Sequence, residues 1–188
     1  MKRILNLAVI ILLAVAVNAQ TYEVKPSEST LKWTGTKISG SHNGKINLSG
    51  GTFTLKNDKI ESGKFVIDMT SITNDDLSGT MNANLVGHLK SDDFFSVESH
   101  PNAILVLTES TALKNGKAKA KGNLTIKGIT HPVEFEASQS GNKFSTTITI
   151  DRTLYNVRYG SGKFFSNLGD NMISDNFTLE VDLVTTQK

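Results

Sequence analysis

Apolar and polar residues alternate along most of this chain. Leu31 and Trp33 fall on one side of an extended backbone, with Thr30, Lys32 and Thr34 on the other. Ile46 and Leu48, then Phe53 and Leu55, continue the pattern across Gly50-Gly51. It recurs at Phe65, Ile67 and Met69, at Leu124 and Ile126, at Val133 and Phe135, and at Ile148 and Ile150. The clearest case is Phe177, Leu179, Val181 and Leu183 against Thr178, Glu180, Asp182 and Val184. A period of two predicts antiparallel strands with one buried and one wet face. Asn57-Asp58, Asn115-Gly116 and Gly141-Asn142 supply turn signals between them.

One region departs from this period. Between Asp75 and Leu89, the residues Leu77, Met81, Leu85 and Leu89 recur every four positions. That spacing predicts a short amphipathic helix, capped at its start by Asp75 or Asp76, with Met81, Leu85 and Phe94 buried. Its exit, "HLKSDDFFSVESHP" at 88–101, brackets two aspartates and two phenylalanines with two histidines. Ser91 can cap a new turn there, with Asp92 and Asp93 at its positive end, and Pro101 leads into the next strand.

Alternating strands close into a sandwich or a barrel. The signals give roughly eight strands, enough to close a small barrel that fills itself or holds one ligand. The long segment Lys45–Leu55, with glycine in its middle, suits a strand bending at a barrel corner. The expected fold is therefore an all-β, antiparallel, eight-stranded barrel with a short inserted helical segment. An outer-membrane barrel would turn its apolar face outward. One Trp and three Tyr are too few for interfacial girdles, which favours an apolar interior.

The start of the chain is of another kind. Lys2 and Arg3 precede an apolar run from Ile4 to Val17, and Val17-Asn18-Ala19 places small residues at the cleavage positions. This predicts a secretory signal at 1–19 and a mature domain at 20–188, periplasmic or secreted. The run falls short of the ~20 residues that span a membrane. Removing 19 of 188 residues leaves 169, sufficient for one domain with a sizeable core. With no cysteine, disulfides and thiol catalysis are excluded. A net charge of +2 that includes Lys2 and Arg3, with no basic stripe, argues against a nucleic-acid partner. Neither repeats nor a second domain are evident, and no feature bears on oligomeric state.

Four candidate chemistries follow. His88 and Asp92, with Asp93 or His100, have the residue types of a nitrogen and oxygen metal site. No H-x-x-x-H or H-E-x-x-H motif accompanies them, so capping and packing explain the stretch better and no metal is expected. Ser39, Ser41 and His42 are adjacent but lack a nucleophile elbow, so no catalytic residues and no cofactor are expected. His42, Arg152, Tyr155, Arg158 and Tyr159 carry groups that could read a polar head, although an Asp151–Arg152 surface ion pair explains that arginine as well. The last candidate is the interior itself. Trp33, Phe53, Phe65, Ile67, Ile126, Phe135 and Ile148 point inward and could line a ligand tunnel or simply fill the core. The Trp33 indole N–H requires a partner, a head group or a backbone carbonyl.

Several stretches resemble one family. "GHLKSDDFFSVESHPNAIL" is similar to the signature of the YceI-like family, in which a histidine-leucine pair precedes a "DFF-x-V" core. "GNLTIKGITHPVEFEA" at 122–137 resembles its "G-x-L-T-I-x-G-x-T-x-P-V" strand pair. "TITIDRTLYNVRYGSG" with "ISDNFTLEVDLV" resembles its closing strands, and "STLKWTGTKISGSHNGKI" its opening one. One departure is Ser96, where an acidic residue is frequent. The resemblance implies an exported, lipocalin-like barrel that binds long isoprenoid or other amphiphilic lipids without catalysis. A barrel with a filled interior, acting structurally or as a protein-interaction surface, is the alternative.

Overall fold

The computed structural model describes residues 19–188, so the secretory signal expected at 1–19 lies outside the described residues except for Ala19. The strands are β1 (Ala19–Val24), β2 (Thr30–Lys37), β3 (Gly40–Lys56), β4 (Lys59–Asp68), β5 (Asn102–Ser110), β6 (Lys117–Ile126), β7 (Ile129–Ser140), β8 (Lys143–Asp151) and β9 (Ile173–Gln187). One helix, α1 (Gly79–Lys90), is inserted between β4 and β5. Consecutive strands pair antiparallel from β2 to β9, apart from the separate first strand, and β9 returns to β2 to close the ring.

The nine strands occupy eight places. β1 pairs with the second half of β3 and the end of β9, whereas β2 pairs with the first half of β3 and the earlier part of β9. A turn at Pro26–Glu28 separates them, so together they form one broken stave of an eight-stranded barrel. β3 serves both because it is 17 residues long. It bends where expected, with a register shift between Leu48 and Gly50 against β4. Gly51 is needed at this corner: a Cβ there would come within 2.5 Å of the Phe65 ring.

The turns follow their sequence signals. Asn57 and Asp58 sit at φ 52° and 60°, and Asn115 and Gly116 at 52° and 73°. Lys127 and Gly128, at 51° and 71°, form a further turn of this kind between β6 and β7. Positive φ at both central residues matches the right-handed twist of the paired strands.

Inward residues of every strand form one core that includes Leu31, Ile46, Leu48, Phe65, Ile67, Leu107, Leu124, Ile148 and Ile150. Their neighbours Lys32, Lys45, Thr147 and Thr149 are exposed. Such burial contributes about 1.5–3 kcal/mol for each large apolar side chain. At one end Tyr22, Phe53 and Phe144 pack together, Tyr22 stacked on Phe53 at 5.1 Å and Phe144 edge-on to Phe53 at 4.8 Å. Phe94, Phe95, Leu89 and Ile72 cover the other end.

The helical segment differs from expectation in three respects. α1 begins after Ser78, not at Asp75 or Asp76, and neither aspartate caps it. The Asp75 N–H instead donates to the Asn43 carbonyl, and Asp76 accepts from the Asn43 N–H, which holds this stretch extended along β3. Met81 is 65% exposed, and only Leu89 of the helix is fully buried. Residues four apart advance 400°, so each step drifts by about 40° and the stripe turns away from the barrel. The Ser91 hydroxyl closes α1, donating to the His88 carbonyl at 2.8 Å, instead of capping the new turn. That turn itself forms as expected over Asp92 and Asp93, with the Phe94 N–H donating to the Ser91 carbonyl at 3.0 Å. Phe94 is buried as expected.

Candidate binding site in the barrel interior

Two apolar chambers lie end to end inside the barrel. The first is a cavity of about 90 Å³ whose walls include Phe53, Phe65, Ile67, Phe135 and Ile148. The second, of about 100 Å³, is walled by Trp33, Ile67 and Ile126 together with Phe94, Phe95 and Phe177. Ile67, Leu124, Ile150 and Leu179 belong to both, so the chambers meet at a shared waist. All seven residues read as inward-facing from the sequence therefore line this interior. Leu124, Ile150 and Leu179 were legible by the same alternation, and their place at the waist emerges only from the packing.

Polarity is nearly absent from these walls. The first chamber meets only Ser145 and Thr146 among polar side chains, and the second is bordered by Arg152, Ser174 and Asn176. Trp33 does not offer its indole to the cavity. Its Nε1–H donates to the backbone carbonyl of Thr73 at 2.9 Å. Walls of this kind suit an apolar molecule, and among the described residues Arg152 is the one ionisable side chain that borders them.

Arg152 is neither a surface residue nor paired with Asp151. Only 2% of it is exposed. Its guanidinium donates to the carbonyls of Val157, Ser174 and Ile173 at 2.8, 2.9 and 3.1 Å. The Asp175 carboxylate lies 3.9 Å away. Burial lowers its pKa, and the nearby Asp175 and Asp151 carboxylates act in the opposite direction. Asp151 is paired instead with Lys163 at 2.8 Å. Arg152 thus ties the start of β9 to the residues after β8. Planar donors in a fixed fork suit an array of carbonyls, but nothing in the local sequence marks this arginine as buried.

The other candidate head-group residues do not converge. His42 lies on β3, beyond a turn at 38–39, and its Nδ1 is 2.7 Å from Asp76 Oδ2. Tyr155 is buried with its ring edge-on to His131, and burial, with the Asp151 charge nearby, pushes its phenol up to about 12. Arg158 is exposed and lies over the Phe164 ring at 4.7 Å. Tyr159 packs against His88 at 4.4 Å.

The stretch at 88–101 is likewise dispersed. His88 lies between Tyr159 and Phe94, His100 lies beside Gly128, and the Asp92 carbonyl accepts from Lys127. Among the described residues, no group of three or more His, Asp or Glu is arranged to hold a metal.

A closed antiparallel barrel of eight places around an apolar interior defines the class of protein. Residues 22–185 match the YceI-like domain, and the chain belongs to that family. A UPF0312 protein of Shewanella denitrificans is 28% identical over 134 residues, covering 70% of this chain and 68% of that protein. A UPF0312 protein of Pseudomonas aeruginosa is 36% identical over 101 residues, covering 52% of this chain and 49% of the relative. Among solved structures, Burkholderia cenocepacia BcnA superposes with a TM-score of 0.63 at 20% identity, covering 87% of this chain and 99% of that one. A polyisoprenoid binding domain from Saccharophagus degradans gives 0.61 at 14% identity, with 89% and 98% covered. Both likenesses concern the fold.

Proposed function

We propose that this protein binds an elongated apolar or amphiphilic lipid, of isoprenoid type, inside the barrel, and that it acts without catalysis outside the cytoplasm. The observation that carries this reading is the pair of apolar chambers meeting at Ile67, Leu124, Ile150 and Leu179. A chain laid through both would run along the barrel axis. Each buried methylene contributes about 0.8 kcal/mol, so roughly ten of them supply about 8 kcal/mol before the cost of association. Micromolar affinity needs about 8 kcal/mol net of that cost, and so a longer chain.

The kinship with a domain named as polyisoprenoid binding supports the ligand class. The basic start, apolar run and Val17-x-Ala19 site support export, either periplasmic or secreted. Among the described residues, the chamber walls carry no pair of titratable groups, which supports a binding role over an enzymatic one.

Displacement of a fluorescent apolar probe by a polyprenol tests the reading. Saturable binding of the probe and its release by polyprenol are expected, and a protein that takes up neither contradicts it. A second reading, a filled barrel used as a structural or interaction surface, is favoured by the modest size of the cavities, about 90 and 100 Å³. It differs in requiring that Phe53, Phe65 and Phe135 stay where they are. Under the binding reading these side chains move apart to admit a long chain.

A further inference from the structure

The barrel is zipped unevenly. β7 and β8 pair only between Ala137–Ser140 and Lys143–Thr146, beside the turn that joins them. By contrast, β6 and β7 pair from the turn at Lys127-Gly128 as far as Lys117 and Ser138. Residues 129–136 of β7 and 147–151 of β8 therefore face one another without a ladder.

The sequence builds this divergence in. A two-residue turn makes Ile126 and Ile129 a hydrogen-bonded pair, and such pairs alternate along an antiparallel ladder. Pro132, opposite Asn123, then falls at a non-hydrogen-bonded position, with its ring nitrogen turned toward β8. A proline cannot donate to a ladder and belongs on an edge. At the fork, Thr146 Oγ1 donates to the Glu136 carbonyl at 2.7 Å and so ends the zipper with a side chain. At the far end Tyr155 closes over His131, ring centroids 5.4 Å apart.

The result is a window about five residues long, or ~16 Å at the rise of a strand. It opens onto the first chamber, whose lining includes Val133 and Phe135 on one side and Ile148 and Ile150 on the other. Val133 and Phe135 are half-buried, as are Phe177, Leu179, Val181 and Leu183 of β9, whereas Leu107 and Leu124 are buried. The acidic residues of the rim are drawn outward: Glu134 pairs with Lys121 and Glu136 with Lys117, both at 3.1 Å. The ends of the barrel are covered by Tyr22, Phe53 and Phe144 and by Phe94, Phe95 and Arg152.

We propose that the lipid enters and leaves sideways, through the window between β7 and β8. This rests on the lipid-binding reading above. Before the short ladder at Ala137–Ser140 is reached, widening the window breaks the Thr146–Glu136 side-chain bond and no rung of a ladder, so it is the seam that opens at least cost. A chain can then slide in lengthwise, tail against Val133 and Ile148, without unfolding either end.

The chain contains no cysteine, which makes cross-linking selective. Extending the register of Ala137 with Thr146 sets Glu134 opposite Thr149, both exposed. The double variant Glu134→Cys with Thr149→Cys is joined by a reducible bis-maleimide, and uptake and release of a fluorescent geranylgeraniol are timed. Both should slow by about tenfold or more, as for a gated site, and recover on reduction. Ser140→Cys with Lys143→Cys, both exposed and joined across the paired part, should exchange lipid at the unmodified rate. Unchanged exchange in the cross-linked 134/149 protein, or slowing that persists after reduction, overturns the proposal. If the unmodified protein takes up no lipid, the binding reading falls, and this one with it.

Discussion

The indole Nε1–H of Trp33 donates to the carbonyl oxygen of Thr73 over 2.9 Å, above Gly44, the cross-strand partner of Trp33. The extended stretch that leads to α1 is thereby fastened across β2 and β3. The Thr73 N–H donates in turn to Lys45 O at 2.9 Å. The bond leaves the indole edge satisfied and its apolar face toward the second chamber.

Gly44 has no room for a side chain, because a Cβ there would collide with the Thr73 carbonyl. Gly44→Ala is expected to cost about 1–3 kcal/mol, the usual range for overpacking. The melting temperature should fall by several degrees at that cost in a domain of this size. Thermal denaturation followed by Trp33 fluorescence reads the loss directly, and a variant as stable as the parent contradicts the close approach.

The His42–Asp76 contact predicts an acid limb to stability. Burial acts to raise the Asp76 pKa, but hydrogen bonds from the Asn43 N–H, His42 and Asn74 outweigh it and hold the carboxyl down at about 2. The unfolded value is near 3.9. A folded pKa below the unfolded one contributes stability that is present above pH ~4 and lost as pH falls toward ~2, on the order of 1 kcal/mol for a partly exposed group. Urea titrations of the parent and Asp76→Asn should differ at pH 5 and converge near pH 2. A constant difference across that range would falsify the assignment.

Much of the fold was legible because β-structure with one wet face writes its period into the chain. Phe177, Leu179, Val181 and Leu183 pointed inward as read, and so did all seven residues expected in the interior. The first stave was harder, because β1 and β2 share one place and no local signal shows that Pro26–Glu28 is an interruption rather than a corner. Met81 misled because four-residue spacing approximates a helical face only over one or two turns. Arg152 was read from its charge, whereas its position is set by three carbonyls supplied from 157, 173 and 174. Pro132 did carry a signal, since a proline inside a strand marks an edge. What that edge bordered depended on where β8 went.

Arg152→Met removes the donors from three backbone carbonyls and leaves the partly buried Asp175 with Lys163 alone, at 3.4 Å. Breaking such an array costs about 3–5 kcal/mol. Chemical denaturation should show the midpoint falling accordingly. A shift of under ~1 kcal/mol, the usual worth of a surface pair, would place this arginine in the surface role instead.

Phe94→Ala tests the cover over the second chamber. Phe94 is 8% exposed and packs against Phe95 at 5.1 Å and beneath the Arg152 guanidinium at 5.7 Å. Its truncation should cost about 3–5 kcal/mol. A midpoint unchanged in denaturant would show that the segment at 91–101 is not part of the core.

The proposed lipid in the interior is tested most plainly by mass spectrometry of the protein purified without detergent from cells that express the full sequence, compared with Ile126→Trp. Ile126 lines the second chamber, and the larger ring should fill it at about 1–3 kcal/mol of stability. The parent should carry a long-chain lipid near one per molecule and begin at Gln20, while the variant should be folded and empty. A parent that is folded, correctly processed and free of lipid would contradict the account.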